Sequence, residues 1–254
     1  MAKKAAPAKP TKDVKVTKAI KKVAPKKEAP KKEAPKKEAK GSKKEVTPPV
    51  LAKTASKKEE SKYGGDKLDL CLLLDCTGSM ASWIQRSKDT LKEIIDTVKK
   101  NNPALKVRVC FVGYRDIKDH NRFSIMDFSD DLAAVKTFIG GVSADGGGDF
   151  PEDVQGGFNK ALNMSWTPNS VKSVFHIFDA PGHGKDICDG GDDYPGGSPD
   201  GFKIQDQMRE FARLKINFTC VKVNEQCNKM INVMRDSYGQ GGMVLNITDL
   251  AQAC

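Results

Sequence analysis

The stretch "DLCLLLDCTGSM", residues 69–80, decides how the rest of this chain reads. Leu70 to Leu74 form an unbroken apolar run. Such a run marks a strand covered on both faces, whereas a strand with one wet face alternates apolar and polar residues. The run ends on Asp75, and hydroxyls follow at alternate positions, Thr77 and Ser79. That ending fits a polar turn into a helix with Thr77 or Ser79 as its N-cap. It equally fits oxygen donors gathered around a cation.

Outward from this strand (67–75), two kinds of segment alternate. Residues 80–100 place Ile84, Leu91, Ile94, Ile95 and Val98 on one helical face. "ALKVRVCFVGY" (104–114) reads as a second strand and "RFSIMDFS" (122–129) as a shorter, more polar one suited to a sheet edge. Residues 130–139 form a short helix capped by Ser129 or Asp130. After the glycine-rich "GGVSADGGGDFPEDVQGGF", a helix starts near Pro151, because proline suits a first turn and acids suit the N-terminal dipole. Strand 171–180, a Gly- and Asp-rich loop from Pro181 to about Gly201, helix 203–214, strand 216–223, helix 225–237 and strand 242–250 complete the pattern. Alternation of this kind predicts an α/β fold: a doubly wound, mainly parallel central sheet flanked by helices, Rossmann-like in plan.

Open sheets of this class bind ligands at the carboxyl ends of their strands. Strand 67–75 ends at Asp75, with Thr77 and Ser79 in its loop, and strand 171–180 delivers Asp179. The glycine-rich segment supplies Asp149, Glu152 and Asp153 just before a helix. If the two strands are neighbours, these oxygens meet at one edge. Carboxylates and hydroxyls are hard donors, suited to Mg²⁺ or Mn²⁺ rather than zinc. Phosphate binding is a rival reading, since Asp-x-Gly-Thr loops mark sugar kinases and actin-like ATPases. Here the order is Thr-Gly, and no second phosphate-loop motif is present.

"DCTGSM" after a buried strand resembles the metal-ion-dependent adhesion site of von Willebrand factor A domains. "FVGYRD", "GGGDFPEDVQGGFNKAL", "HIFDAPGHG" and "DDYPGG" extend the likeness over residues 65–250. The ordered set is most similar to the A domain found beside atypical alpha-kinase catalytic domains. The resemblance implies Asp75, Thr77 and Ser79 as metal ligands from the first loop and Asp179 from the fourth family strand. Most A domains place a Thr in the second loop, but "DFPED" resembles the Asp-x-Pro-Glu stretch of integrin beta A-like domains. That likeness implies Glu152 as a ligand and Asp149 as a ligand of a neighbouring site. It also implies that a carboxylate from a partner protein completes the coordination shell.

Other polar features read more plainly. The acids Asp186, Asp189, Asp192, Asp193 and Asp200 lack the spacing of a helix-loop-helix calcium site and read as a solvated loop. His183 in "PGHGK" lies near the proposed metal edge, without a Cys/His set to support zinc. His176, inside an apolar strand, reads as a satisfied core residue, and Cys71 and Cys110 as buried small hydrophobes. No Gly-x-Ser-x-Gly elbow, Walker loop or protein-kinase motif occurs, so an enzyme is not expected.

Charge divides the chain. Residues 1–62 hold 21 Lys, 7 acids and no aromatic residue, about +14 in a chain of net +10. They repeat Ala-Pro-Lys-Lys-Glu three times from Ala24 to Glu38. Low hydrophobicity and high charge cannot offset the entropy of ordering, so 1–62 reads as a disordered basic arm before a domain at 63–254. Lys26, Lys27, Lys31, Lys32, Lys36 and Lys37 are its candidates for non-specific nucleic-acid contact. A nuclear import signal and a plain spacer are the other readings of the arm, and base stacking is excluded without aromatics. No signal peptide or membrane-length apolar run is visible, and the seven cysteines suggest reduced thiols inside the cell, in cytoplasm or nucleus. The expected function is a metal-dependent protein interaction module with a flexible basic tail. Alternatives are an alpha-kinase-associated or fragmentary kinase-family protein, and a nucleic-acid binder acting through the arm. The short ending "AQAC" leaves little of the C-terminal helix usual in the family, which fits a stunted helix or a fragment of a longer product.

Overall fold

The computed structural model describes residues 66–250. The arm expected over 1–62, with Lys26, Lys27, Lys31, Lys32, Lys36 and Lys37, lies outside them, as does "AQAC". The described strands are β1 (Lys67–Asp75), β2 (Lys106–Tyr114), β3 (Phe123–Ser129), β4 (Val171–Phe178), β5 (Ile216–Lys222) and β6 (Asn246–Asp249). They form one sheet in the order β3-β2-β1-β4-β5-β6. All neighbours pair in parallel except the edge strand β3, which runs antiparallel to β2. The helices are α1 (Ile84–Asn101), α2 (Leu132–Gly141), α3 (Val154–Leu162), α4 (Ile204–Arg213) and α5 (Asn228–Gly239).

The apolar run of β1 follows from its position, because each face meets a different helix layer. Leu70, Leu72 and Leu74 pack with Leu91 and Ile95 of α1 and Val135 and Ile139 of α2. Cys71 and Leu73 point the other way, toward Phe158 of α3, Phe211 of α4 and Met230 of α5. Full burial of each leucine stabilises the fold by about 1.5–3 kcal/mol. Cys71 and Cys110 are register partners, fully buried and free, as their sequence setting implies. His176 is fully buried too, but only half satisfied. Its Nε2 lies 2.8 Å from Tyr114 Oη, while Nδ1 has no partner among the described residues. Burial pushes its pKa down and keeps the ring neutral beside Phe178.

Three boundaries differ from the sequence reading. α2 is capped by Asp131, whose side chain accepts from the N–H groups of Ala133 and Ala134, rather than by Ser129 or Asp130. α3 begins at Val154, not near Pro151, because Asp153 is its N-cap and Glu152 is held by Pro181. β6 spans four residues instead of 242–250, since Gly242 sits at φ +73° in the turn that closes α5.

Phe158 anchors the face covered by α3, α4 and α5, with ring centroids 5.6 Å from Phe211 and 5.3 Å from Phe218. Phe158→Ala is expected to lower unfolding free energy by about 3–5 kcal/mol, read from the urea midpoint. A loss under about 1 kcal/mol would place the core elsewhere.

Candidate metal centre

β1 lies between β2 and β4, where the strand order reverses, the place at which open sheets of this class bind ligands beyond the carboxyl ends of their strands. Leu74 pairs with Ile177, so β1 and β4 end side by side and release Asp75 and Asp179 at one edge. A line of oxygens joins them. Thr77 donates from its backbone N (3.0 Å) and its Oγ1 (2.7 Å) to Asp75 Oδ1. Thr77 Oγ1 lies 3.2 Å from Ser79 Oγ, and Ser79 Oγ donates to Asp179 Oδ1 at 3.0 Å.

The glycine-rich loop is fastened over this line. Asp145 N donates to Cys76 O at 2.9 Å and Gly78 N to Gly146 O at 3.0 Å. Gly147 adopts φ +85°, and a Cβ there would sit 3.0 Å from Glu152 Oε1 and 3.5 Å from Thr77 Cβ. Only glycine allows the loop to press Glu152 toward Thr77 in this conformation. Glu152 N donates to Pro181 O at 2.9 Å, which ties the same residue to the loop after β4. Asp75, Thr77, Ser79, Glu152 and Asp179 therefore converge from three loops.

Electrostatics at this edge are unbalanced. Asp75 is fully buried, Glu152 is 3% exposed and Asp179 is 8% exposed, while Ser79 opens to solvent. Burial, then the charge of Asp179, pushes the Asp75 pKa up to about 7. Burial, then the charges of Asp75 and Asp116, pushes Glu152 up to about 10. Burial also raises Asp179. Asp75 Oδ2 and Glu152 Oε2 are buried without a hydrogen-bond partner among the described residues. Unpartnered buried carboxylate oxygens are costly. Two orphan carboxylate oxygens beside two hydroxyls fit a hard divalent cation by charge and by donor type.

Two acids drawn from the same segment go elsewhere. Asp153 faces away: it caps Gly156 N at 2.9 Å and receives Arg122 Nε at 2.6 Å. Asp149 stands with Asp116 and His183 in a separate group. The 186–200 loop is only partly the solvated loop that its composition implies. Asp192 turns inward and holds His183 Nδ1 at 2.9 Å, while Asp186, Asp189, Asp193 and Asp200 pair at the surface with Gln205, Lys229, Lys118 and Arg122. Asp116 is the residue that the sequence reading passed over. It stands two positions beyond β2, so the carboxyl-edge rule that selected Asp75 and Asp179 applies equally to it.

A doubly wound domain with acids and hydroxyls at its switch point is a recognisable class. Residues 69–190 match the family model described as von Willebrand factor A domain, and the chain belongs to that family. A Dictyostelium discoideum protein named alpha-protein kinase vwkA is 34% identical over 196 residues, covering 72% of this chain and 31% of that protein. The chain thus spans about a third of that curated relative's length. Among solved structures, the SpRpn10 VWA domain aligns with a TM-score of 0.49 at 10% identity, covering 71% of this chain and 86% of that one. Proximal thread matrix protein 1 from the mussel byssus aligns with a TM-score of 0.49 at 15% identity, over 74% and 43% of the two chains.

The raised carboxyls set a pH dependence. Folded Asp75 holds its proton up to about pH 7, against an ordinary value of 3.8 in the unfolded chain. A group that binds its proton more tightly when folded favours folding while protonated, so its contribution declines as pH rises through that window. In EDTA, wild type is expected to lose more stability between pH 5 and pH 8 than Asp75→Asn, read from urea midpoints at constant ionic strength. Identical pH profiles would remove Asp75 as the source.

Proposed function

We propose that this domain is a non-enzymatic protein interaction module. It binds Mg²⁺ or Mn²⁺ through Asp75, Thr77, Ser79, Glu152 and Asp179 and presents the ion to an acidic residue of a partner protein. The observation that carries this reading is the pair of buried, unpartnered oxygens, Asp75 Oδ2 and Glu152 Oε2. A bound cation offers both an electrostatic partner and lowers the carboxyl pKa values that burial has raised. Ser79 and Gly146 to Gly148 are exposed, which leaves a solvent-facing side on which a further ligand can approach. A partner carboxylate supplies a hard oxygen and a neutralising charge, both matched to such an ion.

Family membership supports an interaction role. The kinase in the relative's name belongs to a protein of which this chain spans 31%. The six described cysteines are all buried and free, which suits a reducing compartment inside the cell. Among the described residues no helix is long and apolar enough to cross a membrane.

Calorimetric titration of Mg²⁺ into the full chain is expected to give one site that Asp75→Ala weakens by more than about tenfold. Equal binding by both proteins would return the Asp75 loop to a polar turn. Capture of partners on immobilised chain is expected to fail in EDTA and with Asp75→Ala alike; capture insensitive to both contradicts the metal-dependent grip.

A further inference from the structure

The glycine-rich segment before α4 borders a cavity that the Asp75 centre does not use. It measures about 600 Å³ and is lined by the loop after β4, the segment 195–203 and the first turn of α4. That volume falls within the range of small-ligand sites. Gly184, at φ +122°, lets the two loops meet, since a Cβ there would stand 3.2 Å from Gly197 Cα. Lys185 N donates to Pro195 O at 3.1 Å and joins the same walls. We propose that this cavity binds a hydroxyl-bearing phosphate monoester of the sugar-phosphate class. The phosphoryl group sits at the N-terminus of α4, and the hydroxyls face Gln155.

No side chain caps α4. Gln207 N reaches Lys203 O at 3.1 Å, so the N–H groups of Ile204, Gln205 and Asp206 are those that an uncapped helix leaves open. Open N–H groups and the helix dipole together favour a phosphate. Asp206, the acid of that turn, pairs with Arg209.

Two buried side chains point to a ligand independently of the helix. Ser198 is 8% exposed and Gln155 2% exposed, and both line the cavity. Ser198 Oγ and Gln155 Oε1 have no hydrogen-bond partner among the described residues. Buried polar atoms left unpaired are costly, and a ligand that pairs them removes the cost. Their chemistries differ. The Ser198 hydroxyl can donate to a phosphate oxygen. Gln155 Nε2 is engaged with His183 O at 2.6 Å, so Gln155 Oε1 seeks a donor, and a bare phosphate dianion offers none. An ester that carries hydroxyls satisfies both.

The charge distribution agrees. Around this loop Lys118, Arg122, Arg209 and Lys229 each pair with an aspartate, whereas Lys185 and Lys203 line the cavity outside the described ion pairs. Asp186, an acid of the wall, accepts from Gln205 Nε2 at 2.7 Å. Two exposed ammonium groups therefore flank the place of an incoming dianion.

Backbone amide NMR spectra of the full chain, titrated with ribose-5-phosphate in EDTA, test the site. The chelator removes any ion at the Asp75 centre that could recruit the phosphate, so the outcome is independent of that centre. The amide signals of Gln205 and Asp206 are expected to shift. Ser198→Ala is expected to weaken the ester about tenfold and Lys203→Gln about threefold. Lys100→Gln, which removes a lysine from the last turn of α1, is expected to leave affinity unchanged. Inorganic phosphate is expected to bind more weakly than the ester. Shifts confined to residues 1–62 would assign the anion to the basic arm and overturn the site. Parental affinity in both Ser198→Ala and Lys203→Gln, or an ester no tighter than inorganic phosphate, overturns it as well. If Ser198→Ala fails to fold, Lys203→Gln and the amide shifts decide.

Discussion

The parallel pairing of β1 with β4 is the constraint on which this domain turns. In-register pairing ends the two strands together, so Asp75 and Asp179 must emerge within reach of each other. Two carboxylates that share a buried site cannot both ionise cheaply. The surrounding loops respond to that problem with neutral donors. Thr77 and Ser79 supply hydroxyl hydrogens to Asp75 and Asp179, and the glycine-rich loop closes over them. No lysine or arginine is paired with Asp75, Glu152 or Asp179 among the described ion pairs. Elsewhere the chain does pair its buried acids: Asp69 receives two nitrogens of Arg108, and Asp153 receives Arg122. A site left without a counter-cation of its own is what the proposed ion would complete.

On the proposed reading, this arrangement links stability to occupancy. Each face of the sheet is sealed by helices, and aromatic contacts cluster around Phe158. The loops at the carboxyl edge hold acids for which the described ion pairs supply no counter-cation. An ion that binds only the folded state stabilises it by mass action. On the proposed reading, the energetic reward for folding these loops depends on the ion that a partner would meet.

Much of the fold was legible because β1 is unambiguous. Five apolar residues in succession require two covered faces, and the alternation of strands and helices after it requires a parallel sheet. Asp75, Thr77, Ser79 and Asp179 were legible for the same reason, since a strand end fixes where the next side chains emerge. Glu152 came from likeness to a loop pattern, and its meeting with Thr77 depends on Gly147 at positive φ, which spacing alone does not reveal. Asp153 shows the limit: it adjoins Glu152 in sequence, yet capping α3 and pairing with Arg122 turn it away. The partnership of His183 with Asp116 and Asp192 spans 67 and 9 residues, and only the folded loops bring it together.

Manganese offers the most direct view of the centre. Anomalous diffraction from crystals of the full chain grown with millimolar Mn²⁺ is expected to show a peak within roughly 2.2 Å of a side-chain oxygen of the Asp75–Ser79 loop, beside Glu152 and Asp179. A crystal with no anomalous density at that edge would contradict the assignment of these residues to a cation.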